Sequence, residues 1–200
     1  MTSHELLGPG SDPEIAQVAK DVLCRAFLED PFMAWMFPET ATRAEGVGRW
    51  FDFWIEFYGD QGIYTVAPDG AAIWAKPDAR EFDEEWGVKF FGIFTGETPE
   101  RVDTLVNGLN AIEVLPKPPG SWYLNALAVE PQGRGKGTGK VLMAPTLELI
   151  DADGAPAYLD SSNHVNESFY TRLGFYASDK VTLLGSDERV QRMVRDSKPV

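Results

Sequence analysis

The amino-acid sequence predicts an α/β fold: a mixed sheet with helices on both faces. Three observations lead there. Segments of helical and of strand periodicity alternate without the strict strand-helix-strand order of a parallel sheet. Two short apolar runs flank Pro68-Asp69-Gly70, a turn of hairpin type, so part of the sheet is antiparallel. A later apolar run ends in a glycine-rich turn that leads directly into a helix. The 200 residues are 44% hydrophobic and 12% aromatic, which fits one domain with a real core. No repeat, low-complexity tract or long linker divides them.

Ser11-Asp12-Pro13 opens the first helix, with Asp12 as cap and Pro13 in the first turn. Ile15, Val18, Ala19, Val22, Leu23 and Ala26 then share a face, and Asp30-Pro31 ends the run. A second helix is predicted over 41–58, where Trp50, Phe51, Trp54, Phe57 and Tyr58 form an aromatic face. Strands follow at 63–67 and 71–76. Helices are predicted over 81–94, with Phe82, Trp86, Phe90 and Phe94 about a turn apart, and over 99–114. Pro116-Lys117-Pro118-Pro119-Gly120 is a rigid connector that suits neither helix nor central strand. Residues 121–129 form the next strand, ended by Glu130-Pro131. The helix behind the glycine-rich turn reaches about 151 and contains Pro145, which costs about 3 kcal/mol and predicts a kink. A strand at 157–160, a short helix at 165–173, a strand at 175–184 and a last strand at 190–194 complete the chain.

Composition excludes several function classes. Lys and Arg number 18 against 31 Asp and Glu, a net charge of −13. Such a chain repels nucleic acid and anionic lipid. Cys24 is the one cysteine, and His4 and His164 are the two histidines, so no disulfide and no metal site are expected. No apolar run approaches the roughly 20 residues of a membrane span. Residues 1–10 lack the basic and apolar regions of a signal peptide, so a cytoplasmic location is expected.

Against this acidic background, residues 132–140 carry Gly133, Gly135, Gly137 and Gly139 with Arg134, Lys136 and Lys140, and no acid. Glycines let the backbone turn several N–H groups toward one point, and the following helix adds its positive end. That combination suits a diphosphate. A Walker A loop fails, because Gly139-Lys140 is followed by Val141 and the upstream glycine position holds Arg134. A dinucleotide fingerprint fails as well, since its third glycine falls on Thr138 or Lys140. A flexible solvated turn is the plain alternative.

Gln132-Gly133-Arg134-Gly135-Lys136-Gly137 resembles the Gln/Arg-x-x-Gly-x-Gly/Ala signature of the GNAT superfamily of N-acetyltransferases. The strand from Trp122 to Val129 resembles that fold's fourth strand, and Tyr170 shortly before Leu173-Gly174-Phe175 resembles its second hallmark. The resemblance implies a mostly antiparallel central sheet with splayed fourth and fifth strands. It further implies one acetyltransferase domain over 1–200, with an acceptor-side half at 1–115 and an acetyl-coenzyme A half at 116–200. Ala71-Ala72-Ile73-Trp74-Ala75-Lys76-Pro77, Pro145 and Leu159-Asp160-Ser161-Ser162 are similar to the puromycin N-acetyltransferase branch, which leaves antibiotic acetylation open.

By matching position, the resemblance assigns coenzyme A pyrophosphate to Gln132, Gly133, Arg134, Gly135, Lys136, Gly137, Thr138 and Gly139, mainly through backbone. It assigns pantetheine to the backbone of Leu127, Ala128 and Val129, and a further cofactor contact to Asn163 or Asn166. A bulge is expected near residues 125–127, where one strict alternation fails. Tyr170 is the expected proton donor to the departing sulfur. Asp160 is the leading candidate base, balanced against a strand-end cap, and Asn125 would orient a water. Trp50, Trp54, Phe57 and Tyr58 are candidates for the acceptor pocket, balanced against plain core packing. The expected activity is direct acetyl transfer to a small, cationic amine. A non-catalytic acyl-coenzyme A sensor and a protein N-terminal acetyltransferase are the alternatives, and a homodimer is left open.

Overall fold

A computed structural model describes residues 6–77, 79 and 82–198 of the chain. The signal-peptide reading of the first residues, His4 and the Glu81 start of a predicted helix lie wholly or partly outside the described residues. Strand β1 (Leu7–Gly10), which no strand pattern in Leu-Gly-Pro-Gly announces, precedes helix α1 (Pro13–Ala26). The Asp12 side chain accepts the Glu14 amide at 2.8 Å, as its capping position predicts. The buried stripe of α1 runs through Ala16, Ala19, Val22 and Leu23. Val18, expected on that face, is 41% exposed; the stripe is rotated so that Ala16 takes the inward position.

Asp30-Pro31, read from sequence as a helix stop, also starts a helix. Helix α2 (Pro31–Met36) takes Asp30 as its cap and Pro31 in its first turn. Helix α3 (Arg43–Tyr58) precedes the hairpin of β2 (Gly62–Ala67) and β3 (Gly70–Ala75), whose last register pair is Ala67 with Gly70. Helices α4 (Glu84–Gly92) and α5 (Pro99–Glu113) intervene before β4 (Trp122–Val129). After β4 come α6 (Thr138–Ala152), β5 (Ala157–Ser161), α7 (Glu167–Thr171), β6 (Tyr176–Thr182) and β7 (Arg189–Arg195). The helix predicted over 165–173 is shorter than expected, its first turn being a tight one at His164–Asn166.

The strands form one sheet in the order β1-β2-β3-β4-β5-β7-β6. Every pairing is antiparallel except β4 with β5. Strand alternation sorts the side chains into two cores. Tyr64, Val66, Ala71, Ile73 and Ala75 face α1 and α3, whereas Ile63, Ala72, Trp74, Trp122 and Leu124 face α6. Leu142, Met143 and Ile150 of α6 are fully buried, and each such side chain contributes about 1.5–3 kcal/mol.

Two irregularities in β4 position the site. Ile73 pairs with Ala126 and Trp74 with Leu124, so Asn125 has no partner on β3 and is the bulged residue. The extra residue shifts the alternation. Leu124 lies in the α6 core, yet Ala126, two residues on, lies in the α1–α3 core. The second irregularity is the β4–β5 pairing, which covers Trp122–Leu124 and then stops. Beyond Leu124 the two strands part, and among the described residues β4 keeps one unpaired edge.

Candidate active site

A cavity of about 1920 Å³ is lined by both strands at this split. On one side stands the turn between β4 and α6. Gly135 and Gly137 adopt φ of +75° and +88°, the left-handed region that glycine enters without strain, and no neighbour fills the space where a Cβ would stand. Gly137 also begins α6. Among the described residues no carbonyl or side chain accepts from the amides of 135–140. The turn is anchored behind them: Gly133 donates to the Glu130 carbonyl at 2.9 Å, and the buried Thr138 hydroxyl donates to the Gly133 carbonyl at 3.4 Å. A Cβ at Gly139 would lie 3.1 Å from the Phe169 ring, so this glycine keeps the helix start close to α7.

The side chains of the turn have different roles from its amides. Arg134 Nε donates to the Val129 carbonyl at 3.0 Å, tying the turn to the end of β4. Gln132 donates to the Glu130 carboxylate, which also pairs with Arg25 at 2.9 Å. Gln132 and Lys136 do not line the cavity, while Gly133, Arg134, Gly135, Gly137, Thr138 and Gly139 do. Leu127, Ala128 and Val129 line it from the unpaired edge of β4.

Tyr170 lines the cavity from α7 and is 7% exposed. Burial pushes its phenol well above the ordinary tyrosine range, and the charge of Asp30 adds to the rise. The hydroxyl is therefore a protonated donor at any working pH. Of the two asparagines, Asn163 accepts the Val165 amide at 3.1 Å and so caps the turn before α7. Asn166, also lining the cavity, has no side-chain partner among the described residues.

Asn125 Nδ2 donates to the Tyr58 hydroxyl at 3.0 Å, which the bulge makes feasible by turning Asn125 toward α3. Its Oδ1 is buried without a donor among the described residues. Tyr58 stacks on Trp54 with centroids 5.4 Å apart, and Trp54 meets Trp50 edge-on at 5.5 Å. Phe57 packs in the same layer, 5.7 Å from Trp54. All four predicted aromatics line the cavity, and the same residues pack into the α1–α3 core. Phe82 and Phe90, near and on α4, complete the aromatic wall.

Asp160 lines the cavity too, but both of its oxygens accept from Arg192, Oδ1 from Nε and Oδ2 from Nη2, each at 2.9 Å. Arg192, 1% exposed, also donates to the carbonyls of Ile112 and Leu115. Burial pushes the Asp160 carboxyl up, and the guanidinium pulls it back. The Arg192 guanidinium lies 4.9 Å over the Tyr158 ring, which stacks on Tyr123 at 4.6 Å, one pair before β4 and β5 part. Sequence reading missed Arg192, 32 residues from its partner, and it missed Asp30 and Ser162. A polar residue on a late strand carries no local signal of such pairing.

Among the described residues no His, Cys, Asp and Glu cluster could hold a metal, and no helix is long and apolar enough to cross a membrane. The acetyltransferase (GNAT) family model matches residues 53–175. An uncharacterized N-acetyltransferase of Schizosaccharomyces pombe is 23% identical over 194 residues, covering 89% of this chain and 78% of the relative. A Corynebacterium glutamicum structure described as a histone acetyltransferase and related acetyltransferase superposes with a TM-score of 0.71. It is 22% identical and covers 100% of this chain and 99% of its own. Drosophila melanogaster polyamine N-acetyltransferase, described as forming N-acetylagmatine, gives a TM-score of 0.60 at 16% identity, covering 96% and 98%. At these identities the structural likeness speaks for the fold.

Proposed function

Because the chain belongs to the GNAT acetyltransferase family and is an N-acetyltransferase, we propose that it moves an acetyl group from acetyl-coenzyme A directly to a small, cationic amine. One observation carries the reading: an unpaired amide cradle, an unpaired strand edge and a buried phenol open into a single cavity. The residues present fit the donor. Among the described residues the amides of 135–140 have no acceptor, which leaves them available to a diphosphate, and the space at Gly135 and Gly137 is open. Bound there, acetyl-coenzyme A supplies an activated acetyl thioester.

The chain's own residues do the rest. The edge of β4 at Leu127 and Ala128 aligns the pantetheine as an added strand, while the Val129 carbonyl stays with Arg134. Asn166, with its side chain free of described partners, is the better candidate of the two asparagines for a further donor contact. Tyr170 holds a proton at its hydroxyl oxygen for the departing sulfur. Asn125 offers Oδ1 to the acceptor nitrogen or to a water beside it. Asp160 acts as a positioning residue: its ion pair with Arg192 joins β5 to β7 and to the end of α5. Residues 1–115 supply the aromatic acceptor wall and 116–200 the donor side.

An amine acceptor is favoured by the aromatic wall, since cations bind ring faces, and by the net charge of −13. The Drosophila relative's description as an agmatine-acetylating enzyme puts agmatine and polyamines in the test panel, and the puromycin-type segments add puromycin. The test is calorimetric binding of acetyl-coenzyme A, followed by release of free thiol across that panel and across peptides with free N-termini. Binding with release on small amines supports the reading. Binding without release identifies a sensor, release only on peptides identifies a protein acetyltransferase, and absence of binding removes the proposal.

A further inference from the structure

Carboxylates line the cavity at Glu29, Asp30, Glu113 and Asp160. An amine acceptor arrives as an ammonium ion, and its nitrogen becomes a nucleophile only after losing a proton. Asp160 has both oxygens committed to Arg192. Glu113 pairs with Lys117 on the exposed end of α5, and Glu29 faces solvent. Asp30 differs on each count. Its Oδ1 accepts the Phe32 amide at 2.9 Å and the Met33 amide at 3.4 Å, which fixes the carboxylate plane. Among the described residues its Oδ2 meets Ser162 Oγ alone, at 3.4 Å, a long contact that leaves this oxygen able to accept more. Ser162 directly follows β5, so the contact joins the acceptor-side loop to the far lip of the split strands.

We propose that Asp30 is a catalytic residue, receiving the acceptor's ammonium group at Oδ2 and taking its proton. The inference rests on the acetyltransferase reading above. In the step one N–H bond breaks and one O–H bond forms. The electron pair of the N–H bond stays on nitrogen, ammonium becomes neutral amine, and carboxylate becomes neutral acid, which later releases the proton to water. Burial raises the Asp30 carboxyl above the usual carboxylate range, the Phe32 and Met33 amides and Ser162 oppose the rise, and Glu188 adds to it. A raised base is better matched to an ammonium proton. The titratable groups that act on it are Glu188, just before β7, and Tyr170 in α7.

Asp30→Asn tests this, because Asn caps a helix as well as Asp does and the α2 start survives. Agmatine and 2-phenylethylamine are titrated by calorimetry into wild type and variant without donor. The expected result is at least a tenfold loss of amine affinity in the variant, with acetyl-coenzyme A affinity unchanged. Thiol release should fall about 100-fold or more and lose its rise with pH. Equal amine affinity in the two proteins, or no amine affinity in either, overturns the assignment of Asp30. Failure of both proteins to bind acetyl-coenzyme A overturns the acetyltransferase reading instead.

Discussion

At the scale of single residues the proposed chemistry needs one group that gives a proton, Tyr170, and one that takes a proton, Asp30, and burial raises the pKa of both. Tyr170 is protonated because a phenolate would lose its hydration in the cavity wall. Tyr170→Phe keeps the ring against Phe169 and Phe175 and removes the proton. Turnover should therefore fall about 100-fold or more, while acetyl-coenzyme A affinity and melting temperature hold. Turnover unchanged across pH would take Tyr170 out of the mechanism. Asp30 is shifted in the same direction, but within the acidic range. Its folded pKa lies above the unfolded one, so its stabilising contribution is present below the unfolded pKa and is lost as pH rises through the folded pKa. Asp30→Asn should then melt higher than wild type at pH 7, the gap closing as the solution is acidified through the carboxylate range. A variant that melts lower at pH 7 would contradict it. Tyr170 was legible because its neighbours Leu173-Gly174-Phe175 are contiguous with it. Asp30 was not, because a dipeptide that ends one helix and begins another reads as a stop.

At the scale of elements, segments with local causes were legible and segments with distant ones were not. The hairpin shows in Pro68-Asp69-Gly70, and α6 shows in the glycine-rich turn before it. The bulge was visible as a break in alternation, and it falls on Asn125. Strand β1 and helix α2 were missed, the first lacking any strand pattern and the second being six residues long. The Asp160–Arg192 pair is the element-scale feature with the largest consequence. It lies at the end of β5 and clamps β7 and the last turn of α5 beside the cavity. Asp160→Ala leaves a buried guanidinium without its counter-charge, and such losses cost about 3–5 kcal/mol. Denaturant unfolding should show that loss. Asp160→Asn, retaining one acceptor, should lose less and keep measurable turnover. A variant without turnover but of full stability would return Asp160 to the role of base.

The whole molecule is acidic, and of its basic residues at 134–140 Arg134 is held to the end of β4 by the Val129 carbonyl. Its sheet, meanwhile, is complete on neither side of the split: β1–β4 and β5–β7 touch as strands only along Trp122–Leu124. Proteins open in cooperative units that follow such seams. Without donor, amide hydrogen exchange should separate the two strand groups into units of different protection, with the amides of residues 127–129 among the fastest of β4. Donor binding should slow those amides and bring the two units toward a single unfolding event. A substrate that closes the sheet in this way would act, for the time it is bound, as part of the folding core.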